Sequence, residues 1–232
     1  MIPIHFKKPN SLPPEKSHYV VARNGLFFRK RTWWVDATVE VDEIMVLDQE
    51  EPGAKLLLPP LPRNVLAKAL KLAKAVYDIS RSEVCLLLFY DGQGNYQLAV
   101  PKQRVSPGNI KYDASLRLPK MLCVGTIHSH GNFPAFHSNT DHEDEQYVDG
   151  VHITIGDIGS YPQFSLSAEM VINGTRFPIE FSWFDGLELT GDLLLTLEPA
   201  LIEWEVPADW LEVVQHPSVK RLRTKKEKNH DN

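Results

Sequence analysis

Met121-Leu122-Cys123-Val124-Gly125-Thr126-Ile127-His128-Ser129-His130 leads directly into Gly131-Asn132-Phe133-Pro134-Ala135-Phe136-His137, and then into Ser138-Asn139-Thr140-Asp141. The apolar run ahead of His128 reads as a buried strand, Met121 to Ser129, which Gly131 and Pro134 then break. The two histidines therefore sit at the end of a strand, beside a loop. Residues i and i+2 of a strand point to one face, so both imidazoles can reach a common ion. Asp141 falls in the first turn of a short helix expected over Ser138 to Val148, where its carboxylate can be the third ligand. Two histidines, one aspartate and a water make a four-coordinate zinc site with one open position, which is the catalytic arrangement. This mixed nitrogen and oxygen set suits zinc better than calcium or magnesium, which take oxygen ligands.

Ser138-x-x-Asp141 also has a second reading. It has the form of a capping box, with Ser138 as N-cap and an acid three residues on. Asp141, Glu143, Asp144 and Glu145 would then simply favour the positive end of the helix dipole. The two readings are compatible, because a serine that caps the helix can hold its hydroxyl beside a metal.

Outward from this stretch, Val151 to Ile155 reads as a strand. Phe164 to Ile172 and Arg176 to Trp183 read as a hairpin across Asn173-Gly174, a pair that favours a turn with positive φ. Upstream, Val65, Leu66, Ala69, Leu70, Ala73, Val76 and Tyr77 recur at helical spacing, with Lys68, Lys71 and Lys74 on the opposite face. Glu83 to Tyr90 and Tyr96 to Val105 read as two strands joined at Asp91-Gly92-Gln93-Gly94. Residues 106–120 read as a mobile loop flanking the site. Residues 1–16 look irregular. His18 to Val41 reads as strands, with a hairpin at Asn24-Gly25, and the proline-rich stretch 49–62 as a linker. Residues 192–204 and 208–215 each have helical character. The expected fold class is α/β, a mixed α+β arrangement around one central sheet. The expected division is a β-rich extension over 1–58, a main domain over 59–186, a C-terminal extension over 187–217 and a basic tail over 218–232.

Composition bounds the function. The 232 residues carry a formal net charge of −5, which argues against a general nucleic-acid binder. The exception is the basic end, Lys220, Arg221, Arg223, Lys225, Lys226 and Lys228. It reads either as a solvated tail or as a docking segment for an acidic partner. Cys85 and Cys123 lie in apolar runs with no C-x-x-C pair, so they read as buried free thiols in a reducing compartment. No run approaches the ~20 apolar residues of a membrane span. Met1 to Lys8 has no apolar stretch of signal-peptide length. The expectation is a cytoplasmic protein with no membrane partner.

His128-x-His130, seven residues, then Ser138-x-x-Asp141 resembles the H-x-H-x7-S-x2-D signature of the JAMM zinc metallopeptidases, which are MPN-domain proteins. The spacing agrees at every position, and the resemblance covers roughly residues 60–185. It implies an MPN-type central mixed sheet flanked by helices. That family also uses a glutamate at the start of a strand after a long helix, the place Glu83 holds ahead of Val84-Cys85-Leu86-Leu87-Leu88. Carried over, His128, His130 and Asp141 bind one Zn2+ per chain. Glu83 takes the proton of the attacking water and hands it to the leaving amine, and Ser138 stabilises the oxyanion. The stretches Pro134 to Asp141 and Asp149 to Thr154 look like bacterial members found near ubiquitin-like, E1-like and E2-like proteins. The N-terminal segment Asn24 to Arg31 resembles those proteins too. The resemblance therefore implies a deubiquitinase-like isopeptidase, acting after the C-terminal tail of a ubiquitin-like modifier in deconjugation or maturation, in an antiphage or mobile-element setting.

Other readings stay beside it. MPN domains that have lost their ligands serve as scaffolds, and the same metal site would serve an amidase acting on another peptide or a small molecule. A nucleoside deaminase would need H-x-E and P-C-x-x-C, which do not occur. Of the remaining histidines, His137 and His142 are candidate partners of the ligands. His152 reads as a core residue, and His5, His18, His216 and His230 as incidental.

Overall fold

The computed structural model describes residues 4–7, 15–44, 47–190, 194–196 and 204–217. The basic stretch 218–232, with His230, lies outside them. The chain divides into two compact units, residues 1–52 and 53–232.

The first unit is a four-stranded sheet in the order β1-β2-β3-β4: β1 (Ile4–Phe6), β2 (Ser17–Ala22), β3 (Gly25–Arg31) and β4 (Asp36–Glu40). β1 runs parallel to β2, inside a stretch expected to be irregular. The expected hairpin forms with Ala22 paired to Gly25, so its two loop residues are Arg23 and Asn24. Gly25 takes φ +143, which side chains rarely adopt. His18 is buried, and its Nδ1 lies 3.0 Å from the Glu15 carbonyl oxygen; it is a packed residue and not an incidental one.

The second unit opens with an extended segment whose Leu56 and Leu58 pack against the core. α1 (Arg63–Ser80) follows, and every apolar position singled out by its periodicity is buried. The strands after it are β5 (Cys85–Tyr90), β6 (Tyr96–Ala99), β7 (Gln103–Ser106), β8 (Asn109–Tyr112) and β9 (Leu122–Ser129). α2 (Asn139–Glu145) leads to β10 (Gly150–Gly156), β11 (Gln163–Ile172) and β12 (Thr175–Pro178). β13 (Glu188–Thr190), β14 (Leu194–Thr196), α3 (Ala208–Glu212) and β15 (Val214–Gln215) complete the described elements.

Eight of these strands form one sheet, in the order β13-β14-β11-β10-β9-β5-β6 with β12 added beside β11. β9 and β10 pair in parallel, and the other pairs of this sheet are antiparallel. The buried face of α1 belongs to one core cluster with Leu86 and Leu88 of β5, Ile127 of β9, and Val151, Ile153 and Ile155 of β10. Parallel neighbours buried on both faces need near-continuous apolar runs, which Val124 to Ile127 and Val151 to Ile155 nearly supply. β9 carries a bulge: Leu88 pairs with Gly125 and Phe89 with Cys123, leaving Val124 as the extra residue.

The fold class is mixed α+β. It has several sheets and few helices, where one central sheet was expected. Several finer expectations are corrected with it. Tyr96 to Val105 is not one strand. Pro101, which has no N–H to donate, ends β6, and β7 joins β8 and β15 in a separate three-stranded sheet. Residues 106–120 are not all loop, because β7 and β8 form a hairpin across Pro107-Gly108. Arg176 to Trp183 stops as a strand at Pro178 and closes in a 3-10 turn, Phe181–Trp183. Within 192–204, Leu194–Thr196 is a strand paired with β11 and β13, and residues 197–203 lie outside the described residues. The helix expected over 208–215 ends at Glu212, where β15 begins to pair with β7. Cys85 is buried, but Cys123 is exposed because it sits in the outer end of β9, whose burial grows toward Ser129. Among the described residues, no helix is long and apolar enough to cross a membrane.

Candidate functional site

β9 ends at Ser129, and the chain keeps strand geometry for one more residue, since the His130 N–H donates to the Ile155 carbonyl of β10 at 2.9 Å. Alternation then puts His128 and His130 on one side and Ser129 on the other. Ser129 is held in place by Val84. Its Oγ accepts from the Val84 N–H at 3.1 Å, and its own N–H donates to the Val84 carbonyl at 3.1 Å. The residue beside Val84 is Glu83, so the tie that sets the histidine face also brings Glu83 to it. The Glu83 N–H donates to the Ser106 carbonyl at 3.1 Å, fixing its backbone from the other side.

The loop after His130 is strapped to the end of β10. The Ile158 N–H donates to the Gly131 carbonyl at 2.7 Å and the Asp157 N–H to the Phe133 carbonyl at 2.8 Å. Gly156 makes this possible, because a Cβ there would overlap the backbone of Phe133, Pro134 and Ala135. The loop delivers Ser138 as the N-cap of α2. The Asp141 N–H donates to Ser138 Oγ at 3.2 Å, and the Ser138 N–H donates to Asp141 Oδ2 at 2.7 Å. This is a reciprocal capping box, and it turns the Asp141 carboxylate toward the histidines.

His128 Nε2 and His130 Nε2 lie 3.2 Å apart. Asp141 Oδ1 is 3.4 Å from His128 Nε2, and Oδ2 is 3.4 Å from His130 Nε2. Ligand atoms ~2.0–2.1 Å from a tetrahedral ion stand roughly 3.3 Å from one another; the two imidazole nitrogens have that separation, and one carboxylate oxygen of Asp141 lies at a similar distance from each of them. Among the described residues, His128, His130 and Asp141 form the single group of this kind, and it could hold a metal ion. Both histidines are buried. Thr154 Oγ1 on β10 lies 3.3 Å from His128 Nε2.

Electrostatics follow from burial and neighbours. Burial pushes the Glu83 carboxyl up from 4.5 to about 7; the charge of His130 lowers it and that of Asp141 raises it further. Burial also works to raise Asp141, but hydrogen bonds with His128, His130 and Ser138 outweigh it and hold the carboxyl well below the usual range. Asp141 is therefore charged at neutral pH, as a ligand must be, while Glu83 can hold or release a proton there. Burial pushes the Cys85 thiol up, so the one cysteine facing this site is not a thiolate.

Glu83, His128, His130, Ser138 and Asp141 all line one open cleft of about 280 Å³. Pro107, Ile110 and Tyr112 of the β7–β8 hairpin form part of its wall, with Phe133 and Phe136. The five residues singled out from the sequence are thus brought together. His137 has a buried side chain beside the site, whereas His142 is exposed on α2. His152 is buried, with Nδ1 2.9 Å from Thr126 Oγ1 and Nε2 2.9 Å from the Val148 carbonyl oxygen, as a core histidine should be.

Sequence reasoning missed Gln103, whose side-chain amide accepts from the Cys85 N–H at 2.9 Å and donates to the Cys85 carbonyl at 2.8 Å. It stands in for a neighbouring strand at the start of β5. It also missed Glu145 and Arg176. Glu145 was legible only as one of several acids in a helix, and nothing local marks Arg176.

No protein-family model and no curated protein was found to match this chain.

Proposed function

We propose that this protein is a zinc-dependent metallopeptidase of the JAMM type, acting on the amide bond after the C-terminal tail of a ubiquitin-like modifier. What supports the reading is one observation. Residues from Glu83 to Asp141 converge on one cleft, with one ligand atom each from His128, His130 and Asp141 lying within 4.8 Å of the others and a carboxyl of near-neutral pKa beside them. The long helix α1 against a mixed sheet, with the histidines at the end of a central strand, is in keeping with an MPN-type domain.

His128, His130 and Asp141 would hold the ion. A bound zinc supplies Lewis acidity that brings the pKa of a coordinated water to about 7. Glu83 accepts the proton of the attacking water on its carboxylate and returns it to the leaving amine, a role its raised pKa suits. Ser138 Oγ already accepts from the Asp141 N–H, so its own hydrogen is available to the oxyanion that develops on the scissile carbonyl. The substrate tail would lie extended beside β8, which among the described residues pairs only with β7 and so offers its outer edge for main-chain hydrogen bonds. E1-like and E2-like proteins of the same system would be its working partners.

The test is cleavage of a panel of ubiquitin-like C-terminal fusions and conjugates by zinc-loaded protein, beside Glu83→Ala and His128→Ala. Cleavage by the wild type alone, stopped by a chelator, is the expected result. An intact panel in the presence of tightly bound zinc would overturn the substrate assignment and favour another amide substrate or a scaffold.

A further inference from the structure

α2 carries the third ligand, yet nothing apolar holds it to the sheet. Its sequence is Asn139-Thr140-Asp141-His142-Glu143-Asp144-Glu145, and the one buried residue among the seven is Glu145. A helix this short does not stand alone in water, and helices of folded proteins ordinarily gain their stability by packing an apolar face. The capping box fixes only the first turn. The box sets Asp141 relative to Ser138, and where that first turn sits against the sheet depends also on what Glu145, at the other end of the helix, is fastened to.

It is fastened to Arg176. Arg176 Nη2 donates to Glu145 Oε2 at 3.0 Å and also reaches the carbonyl oxygen of Asp141 itself at 3.5 Å. Arg176 Nη1 donates to Glu169 Oε2 at 2.8 Å. Glu169 belongs to β11 and Arg176 to β12, the two arms of the hairpin that turns at Asn173-Gly174. The planar guanidinium thus binds the sheet with one nitrogen and the helix with the other, a fork that a lysine cannot reproduce. His137 Nδ1 stands 3.6 Å from Glu145 Oε2, and His152 Nδ1 stands 3.5 Å from Glu145 Oε1.

We propose that Arg176 and Glu145 form a latch that positions Asp141 for the metal, making Arg176 a positioning residue that reaches the backbone of one ligand residue but none of the ligand atoms. The proposal rests on the metal-centre reading above. Its physical content is preorganisation. Three ligand atoms held together before the ion arrives bind it more tightly than two atoms and a loosely attached third. Without Arg176, a buried carboxylate loses the guanidinium that hydrogen-bonds it to the sheet, and α2 is free to turn its ligand away.

The test uses the full chain and zinc alone. Wild type, Arg176→Gln, Arg176→Lys, Glu145→Gln and His128→Ala are titrated with zinc against a chromophoric chelator. Each is also loaded with cobalt(II) to read coordination from visible absorption. Arg176→Gln should bind zinc about 10–100-fold more weakly, the usual loss when a partner behind a metal ligand is removed. Its cobalt spectrum should show altered coordination while the far-UV circular dichroism stays that of the wild type. Arg176→Lys should recover part of the affinity, and Glu145→Gln should lose less than Arg176→Gln. Should Arg176→Gln fail to fold, Glu145→Gln and Arg176→Lys carry the same comparison. Zinc affinity within about twofold of wild type in Glu145→Gln and in every folded Arg176 variant would overturn the latch and leave the metal centre standing. A wild type that binds no tighter than His128→Ala would overturn the metal centre and the latch with it.

Discussion

Glu83→Gln in the metal-free protein makes the electrostatics of the cleft measurable without any substrate. The amide keeps the shape of the side chain and removes its charge. In the folded state the Glu83 carboxyl sits at about 7 against an ordinary 4.5. Below pH 4.5 the group is protonated in both folded and unfolded chains and costs nothing. As the pH rises from 4.5 through 7, the unfolded chain gives up its proton and the folded chain resists, so stability is lost across that window. The difference, 7 − 4.5, corresponds to a ceiling of about 3.4 kcal/mol at ~1.36 kcal/mol per pKa unit. Glu83 is only half-buried, and solvent screening brings the expected effect to roughly 1–2 kcal/mol. Urea unfolding of chelator-treated wild type and Glu83→Gln, followed by tryptophan fluorescence, should show matching stabilities near pH 4.5. At pH 8 the variant should be the more stable by that amount. Zinc should narrow the gap, because a nearby cation favours the charged carboxylate. A gap of equal size at both pH values, or a variant less stable than wild type at pH 8, would refute the reasoning.

Other outcomes follow from the same geometry. Elemental analysis should find one zinc per chain, and zinc at a thousand times its dissociation constant should stabilise the protein by about 4 kcal/mol. His128→Ala should abolish both effects. Ser138→Ala removes the side-chain half of the capping box but keeps the backbone N–H that binds Asp141. It should cost about 1 kcal/mol of stability, leave zinc affinity nearly intact, and lower turnover by roughly 10²–10³ in a peptidase assay. Gly156→Ala should destabilise by about 1–3 kcal/mol in thermal unfolding, since its methyl group meets backbone and not a side chain that can swing away. A thiol reagent should label Cys123 in the native protein and reach Cys85 only after unfolding.

The parts of this fold that were legible in the sequence are those set by local rules. The period of Val65 to Tyr77 is the buried face of α1. Asn173-Gly174 turns the β11–β12 hairpin with φ values of 50 and 77, as its composition requires. Ser138-x-x-Asp141 caps a helix as its pattern requires, and the same cap turns the Asp141 carboxylate toward the two histidines. What escaped was non-local. Pro101 sends β7 to a different sheet, and the sequence records that it breaks a strand but not where the chain goes next. Leu194 to Thr196 has no strand pattern of its own and is extended because β11 and β13 flank it. Arg176 and Glu145 meet across 31 positions, and a basic residue in a hairpin carries no mark of the buried acid it will neutralise.

The extra residue in β9 gives the strand a phase reset. Pairing partners on neighbouring strands share a face, so a residue added or lost in a regular strand exchanges its two faces from that point on. At Val124 this exchange has already been absorbed, in the exposed half of β9. Length changes ahead of Val124, in the segment that follows β8, can be taken up there without disturbing Gly125 to His130. The same change between Gly125 and Ile127 would swing both imidazoles away from the cleft and present Ser129 to it instead. The chain can thus vary its approach to the site through insertions and deletions while the histidine face keeps its aim.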